Sequence, residues 1–223
     1  VTSPFDYPAQ ASLYVPRDIV RPNDPAHSAQ VAAMASDAVR RLGGRTLVLT
    51  TTLHAMRVIG EYLQTRFDSG VNVEVLVQGQ SPKRKLMERF REGRSEGGAG
   101  CVLVASASFW EGFDVPGDAL QLVIIDKLPF PPPDDPVIDA ICERDPRAFD
   151  NYLVPLAIIA LRQGVGRLIR CKTDVGVAVI LDKRIAEKGY GKKFLKSLPP
   201  MLTTRRVENI TRFLEEAAYA RAS

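Results

Sequence analysis

Arg45–Val77, RTLVLTTTLHAMRVIGEYLQTRFDSGVNVEVLV, carries the pattern that fixes the fold class. Arg45–Thr50 is a short, continuous apolar run, which reads as a strand buried on both faces. Leu53–Phe67 is long enough for a helix, and Val71–Val77 is a second strand. A strand, a helix and a strand in succession form the crossover unit that parallel pairing requires.

The alternation continues outward from this unit. Before it, Val31, Met34, Ala38 and Leu42 fall in step on a helix over Ala26–Arg41, which Gly43-Gly44 ends. After it, Ser81-Pro82 supplies a capping side chain and a first-turn proline. The helix they open carries Leu86, Met87 and Phe90 inward, points Lys83, Arg84, Lys85, Arg89 and Arg91 elsewhere, and stops near Gly93. A glycine-rich loop, Gly97–Gly100, leads into a strand at Cys101–Ala105. Further strands are expected at Ala119–Ile125 and Gly176–Leu181. This is an α/β domain with a parallel sheet covered by helices on both faces. Pro4, Pro8, Pro16, Pro22 and Pro25 make residues 1–25 an extended connector with one short strand at Ala11–Val15, and their number argues against any helix there. The domain proper is expected over 26–223.

With 223 residues, 45% of them hydrophobic and 25% charged, the chain has the make-up of an ordinary soluble protein. Its net charge of +4 allows contact with nucleic acid without demanding it. No apolar run approaches the roughly 20 residues that cross a bilayer, so no membrane partner is expected, and no signal peptide opens the chain. Cys101, Cys142 and Cys171 are isolated, which argues against disulfides or zinc and fits a reducing cytosol. The start at Val1 rather than methionine reads as a fragment or a processed product.

Pro155–Arg170, PLAIIALRQGVGRLIR, carries the chemistry. As one helix it presents Ile158, Leu161, Val165 and Leu168 as an apolar stripe. Gln163, Gly166, Arg167 and Arg170 then share the opposite side. No acidic residue lies between Leu153 and Thr173, so neither arginine has a local carboxylate. The face is either a solvated basic surface or a seat for an anion, and the guanidinium fork suits phosphate. Loops at the strand ends add Thr50, Thr51 and Thr52, then Gln78, Gly79 and Gln80, then Ser106 through Gly117. These can lay hydroxyls and amides along a phosphate backbone, and Trp110 is either a core aromatic or a stacking surface. Gly189–Lys193 imitates the end of a phosphate loop, but Ala186 and Lys193 stand where Gly and Ser/Thr are needed. Val123–Asp126 imitates a magnesium-binding strand, yet Lys127 follows instead of a second acid. An arginine pair without a nucleotide grip is what one half of a composite phosphoryl-transfer site looks like.

The ordered set resembles the superfamily 2 helicases of the XPD/DinG group. Gln163–Arg170 is similar to motif VI (QxxGRxxR), Ser108–Asp118 to motif V and Leu47–Thr52 to motif IV. Ser3-Pro4-Phe5 resembles the exit from a first motor domain. Leu181–Arg184, Tyr190-Gly191 and Phe194–Pro199 are similar to bacterial DinG. No phosphate loop, DEAH box or four-cysteine insertion of a first motor domain is found. The resemblance implies a RecA-like second motor domain of an ATP-dependent 5′-to-3′ DNA helicase acting in repair and replication. It implies Arg170 as the finger on the γ-phosphate, Arg167 as a second phosphate contact and Gln163 and Gly166 at the nucleotide. Glu111, Gly112 and Asp114 would line the same cleft, and Thr50, Thr51, Thr52, Gln78 and Ser106 would touch single-stranded DNA. ATP and Mg²⁺ would be held mainly by a first RecA-like domain, with no metal site in this chain. The resemblance leaves open an iron–sulfur cluster elsewhere in the full-length protein, and it implies a cytoplasmic, nucleoid-associated location. Two other readings stand beside it: a passive single-stranded nucleic-acid-binding module, and the helicase part of a nuclease–helicase fusion.

Overall fold

The computed structural model describes residues 4–68, 72–93, 100–106, 109, 120–132 and 134–222. In chain order the elements are α1 (Tyr7–Gln10), β1 (Ala11–Tyr14), α2 (His27–Leu42), β2 (Thr46–Thr50), α3 (Leu53–Phe67), β3 (Val73–Val77) and α4 (Lys83–Glu92). Then come β4 (Gly100–Ser106), β5 (Leu122–Ile125), α5 (Pro136–Arg144), a π-helical turn (Phe149–Leu153), α6 (Val154–Val165) and β6 (Gly176–Ile180). The chain closes with α7 (Arg184–Glu187), α8 (Gly191–Ser197), β7 (Leu202–Thr204) and α9 (Val207–Ala222).

Among the described residues, seven strands make one sheet in the order β3-β4-β2-β5-β6-β1-β7. Every pairing is parallel. Successive strand residues point to opposite faces, and each face has its own apolar core. Leu47, Leu49, Leu103, Val123, Ile125 and Ile180 pack on one side, with Leu86 and Phe90 of α4, Ala157 and Leu161 of α6 and Phe194 of α8. Val48, Val102, Val104, Ile124 and Val177 pack on the other, with Val31 and Ala35 of α2 and Ile59 and Leu63 of α3. Burial on both faces explains why these strands are continuous apolar runs rather than alternating ones.

The strand and helix expected from Arg45–Phe67 form at Thr46–Thr50 and Leu53–Phe67. Gly43 ends α2 in the left-handed region at φ 61°, and its N–H returns to the Val39 carbonyl. Three expectations need correcting. Residues 7–10 do form a turn of helix, because Pro8 stands in the first turn, where a missing N–H is harmless, and the Asp6 carboxylate caps it. The strand that follows lies inside the sheet, between β6 and β7, so the expected connector contributes a ladder of its own. Ser81 does not cap α4: Pro82 occupies the cap position and no side chain bonds there. The expected glycine loop at 97–99 and the first residues of the expected strands at Val71 and Ala119 lie outside the described residues.

The central strands set stability. Leu103 on β4 is fully buried. Leu103→Ala should lower unfolding free energy by about 2–5 kcal/mol through the cavity it leaves, read from urea denaturation. A loss under about 0.5 kcal/mol would mean that this core collapses freely around the gap.

Candidate functional site

In a wholly parallel sheet, the loops entering strands gather on one edge and the loops leaving them on the other. The arginine segment enters β6, so it lies on the amino edge. It is not helical throughout. α6 ends at Val165, Gly166 is its cap, and residues 167–170 continue as a turn, a bend and irregular chain. The expectation of one helix to Arg170, with Gln163, Gly166, Arg167 and Arg170 on a shared face, is therefore corrected.

The helical bonds give way to three-residue ones at Arg167 and Leu168, and a side chain then takes the N–H groups that follow. The Asp174 carboxylate accepts from the backbone N–H of Arg170 at 2.8 Å and of Cys171 at 2.9 Å. In a continuing helix those two N–H groups would bond carbonyls four residues back. Asp174 is buried, and its second oxygen accepts from the Cys171 thiol at 2.8 Å. A local carboxylate thus serves the segment after all, from one residue beyond the acid-free window, and it binds backbone. Leu168 and Ile169 are both buried, and they anchor the turn to the α6 side of the sheet. The close approach of Leu168 depends on Gly176, where a Cβ would stand 2.5 Å from Leu168 Cδ1 and 2.8 Å from the Gln121 carbonyl oxygen. Arg167 and Arg170 are half-buried and Gln163 is exposed. Gly166 is exposed too, but a Cβ there would meet the Arg162 carbonyl oxygen at 2.8 Å, so its own helix end already requires glycine.

A second clamp comes from a residue to which no local pattern points. Gln10, at the end of α1, is buried, and its amide donates to the carbonyls of Cys171 and Asp174, each at 2.9 Å.

The carboxyl edge carries the other group of expected residues. Thr50 is fully buried, and its hydroxyl lies 3.3 Å from the Ala105 carbonyl oxygen and 3.2 Å from that of Thr52. Its place in the expected DNA-contact set is corrected: a hydroxyl shut into the sheet cannot meet a phosphate. The Thr52 hydroxyl caps α3 by accepting from the Ala55 N–H at 3.1 Å. Thr51 remains half-exposed, with its N–H donated to Asp126 at 3.0 Å. The Gln78 carbonyl oxygen accepts from the Ser106 N–H at 2.8 Å and hydroxyl at 3.0 Å, which ties the ends of β3 and β4 together. Ser106 is itself buried, whereas Gln78 is half-exposed. Asp182 is fully buried at the end of β6, where it takes the Leu128 N–H at 2.8 Å and the Arg184 guanidinium at 2.6 Å. Trp110, Glu111, Gly112 and Asp114 lie outside the described residues.

Residues 35–201 match the family described as the helicase C-terminal domain. The chain belongs to that family. Escherichia coli ATP-dependent DNA helicase YoaA is 45% identical over 95% of this helicase domain. Mycobacterium tuberculosis ATP-dependent helicase DinG is 35% identical over 100% of it. The domain spans about a third of each relative's length, 32% and 33%. A solved XPD helicase superposes with a TM-score of 0.61 at 18% identity, over 87% of this domain and 35% of that chain. The fold is RecA-like, as the resemblance implied.

Asp126 shows how closed the carboxyl edge is. Burial pushes its carboxyl up to about 7, against the pull of the Lys127 charge and of the Lys127 and Thr51 N–H groups. A raised carboxyl keeps its proton longer in the folded chain than in the unfolded one, so stability falls as pH rises through roughly 4 to 7. Asparagine keeps an acceptor for Thr51 and cannot ionise. Between about pH 5 and pH 7.5 the urea midpoint of Asp126→Asn should therefore drop less than the parent's. Equal drops would show that Asp126 ionises as readily folded as unfolded.

Proposed function

We propose that this chain is the second motor domain of an ATP-dependent DNA helicase, with Arg170 as the arginine finger of a site shared with a preceding RecA-like domain. Residues 1–25 lead in from that domain, donating β1 on the way, and 26–223 form the motor domain proper. The observation that carries the reading is the backbone clamp on the arginine segment, on the edge of the sheet away from Thr51 and Gln78. A finger has to be held in place while its guanidinium meets charge developing on a phosphoryl group. A strand-binding surface can tolerate looser side chains.

The donor set fits part of a nucleotide. Arg167 and Arg170 are half-buried and Gln163 is exposed, which suits phosphate oxygens, and among the described residues no group of side chains could hold a metal ion. Arg170 would neutralise charge on the γ-phosphoryl group, Arg167 would contact a second phosphate oxygen, and Gln163 would relate the site to Glu111, Gly112 and Asp114. ATP, bound with Mg²⁺ mainly by the preceding domain, supplies the free energy of translocation. On the carboxyl edge Thr51, Thr52 and Gln78 would follow the backbone of single-stranded DNA, with Ser106 placing Gln78. Movement from 5′ to 3′, action in repair and replication, and a nucleoid-associated cytoplasmic location follow from the same kinship.

In the full-length helicase, Arg170→Ala should leave folding and nucleotide affinity near the parent's, because the backbone N–H of residue 170 that bonds Asp174 is kept. ATP turnover with saturating single-stranded DNA should fall by roughly 10³-fold, and lysine should not restore it. Turnover within a few-fold of the parent would exclude the finger role. Separately, Thr51→Ala combined with Gln78→Ala should weaken single-strand binding about equally for all base sequences, with affinity falling steeply as salt rises. A loss confined to one base sequence would count against backbone tracking.

A further inference from the structure

We propose that Gln10 and Asp174 are positioning residues that set the direction of Arg170, an inference resting on the finger role given to Arg170 above. Gln10 is 6% exposed, and its side chain is fully engaged. Its amide nitrogen donates to the Cys171 and Asp174 carbonyls, each at 2.9 Å, and its carbonyl oxygen accepts from the Asp6 N–H at 3.0 Å. A carboxamide has two N–H donors, and both go to one short loop. From the other side the Asp174 carboxylate takes the N–H groups of Arg170 and Cys171 at 2.8 and 2.9 Å. Residues 170–174 are therefore held by their amides and their carbonyls at once.

Filling the sheet edge does not explain this arrangement. An apolar side chain would fill the same place without needing three polar partners. What the amide adds is orientation, because its bonds fix which way the backbone at residues 171 and 174 faces. Phosphoryl transfer is sensitive to that, since a misplacement of about 1 Å at a reacting group can lower the rate 10²-fold. Gln10 also reaches the loop across 161 residues, so the segment Asp6–Gln10 is bonded directly to the arginine loop.

The test is a double-mutant cycle in the full-length helicase, reading DNA-stimulated kcat, nucleotide affinity and melting temperature. Gln10→Met keeps the length and removes every bond, and Asp174→Ala removes the single oxygen on which the Arg170 and Cys171 N–H groups both converge. Each should lower kcat by roughly 10- to 100-fold with nucleotide Kd within about two-fold, and neither should lower it further once Arg170 is alanine. If Gln10→Met fails to fold, the cycle with Asp174→Ala decides. A kcat within two-fold of the parent overturns the proposal, as does an equal loss with and without Arg170. Both results leave the finger role standing if Arg170→Ala itself is slow. If Arg170→Ala turns over like the parent, the finger role fails and the positioning role falls with it.

Discussion

Parallel pairing is the constraint on which everything else in this domain depends. A parallel strand cannot be reached by a hairpin, so each strand is followed by a crossover that returns the chain to the starting edge. Helices supply most of those crossovers, cover both faces of the sheet and account for the two apolar cores. The same rule sorts the loops. Segments that leave strands collect on one edge, with Thr51, Gln78, Asp126 and Asp182. Segments that enter strands collect on the other, with Gln10 and the chain from Gly166 to Asp174. Chemistry on the two edges is separated by the length of a strand before any side chain is chosen.

The two edges are built in different ways. On the carboxyl edge, polar side chains bond across neighbouring strand ends: Gln78 to Ser106, Thr51 to Asp126, and Leu128 to Asp182. These bonds tie the strand ends to one another and leave Thr52 and Gln80 exposed. On the amino edge the bonds converge on the backbone of one loop, so that its conformation rather than its surface is fixed. A translocating motor of the kind proposed needs both properties, since the strand contact has to change while the hydrolytic contact stays in register.

Local patterns made much of this readable. The helix Leu53–Phe67 and the strand Arg45–Thr50 announce themselves by run length and by the threonines and glycines around them, because burial on both faces leaves apolar residues few alternatives. The arginine segment misled because its apolar spacing does continue to Leu168, which is buried as a helical stripe would require. Periodicity reports which side chains are inside but does not report which N–H groups are already taken. Thr50 misled for a related reason: a hydroxyl at a strand end looks available until the adjacent strand's carbonyl is known.

Residue type and spacing alone disclosed the α/β class, the helicase kinship, the strand–helix alternation and the presence of two arginines where phosphate chemistry is expected. These depend on residue type and spacing, which are properties of the chain alone. Tertiary structure decided where α6 stops, which edge each motif occupies, and that Gln10 holds a loop 161 residues away. The path after α6 depends on a carboxylate four residues beyond Arg170, the edges depend on strand order, and the Gln10 clamp depends on competition for hydrogen bonds between segments far apart in sequence. Such competition is resolved only when the sheet brings β1 beside β6, and nothing in the neighbourhood of Gln10 marks it in advance.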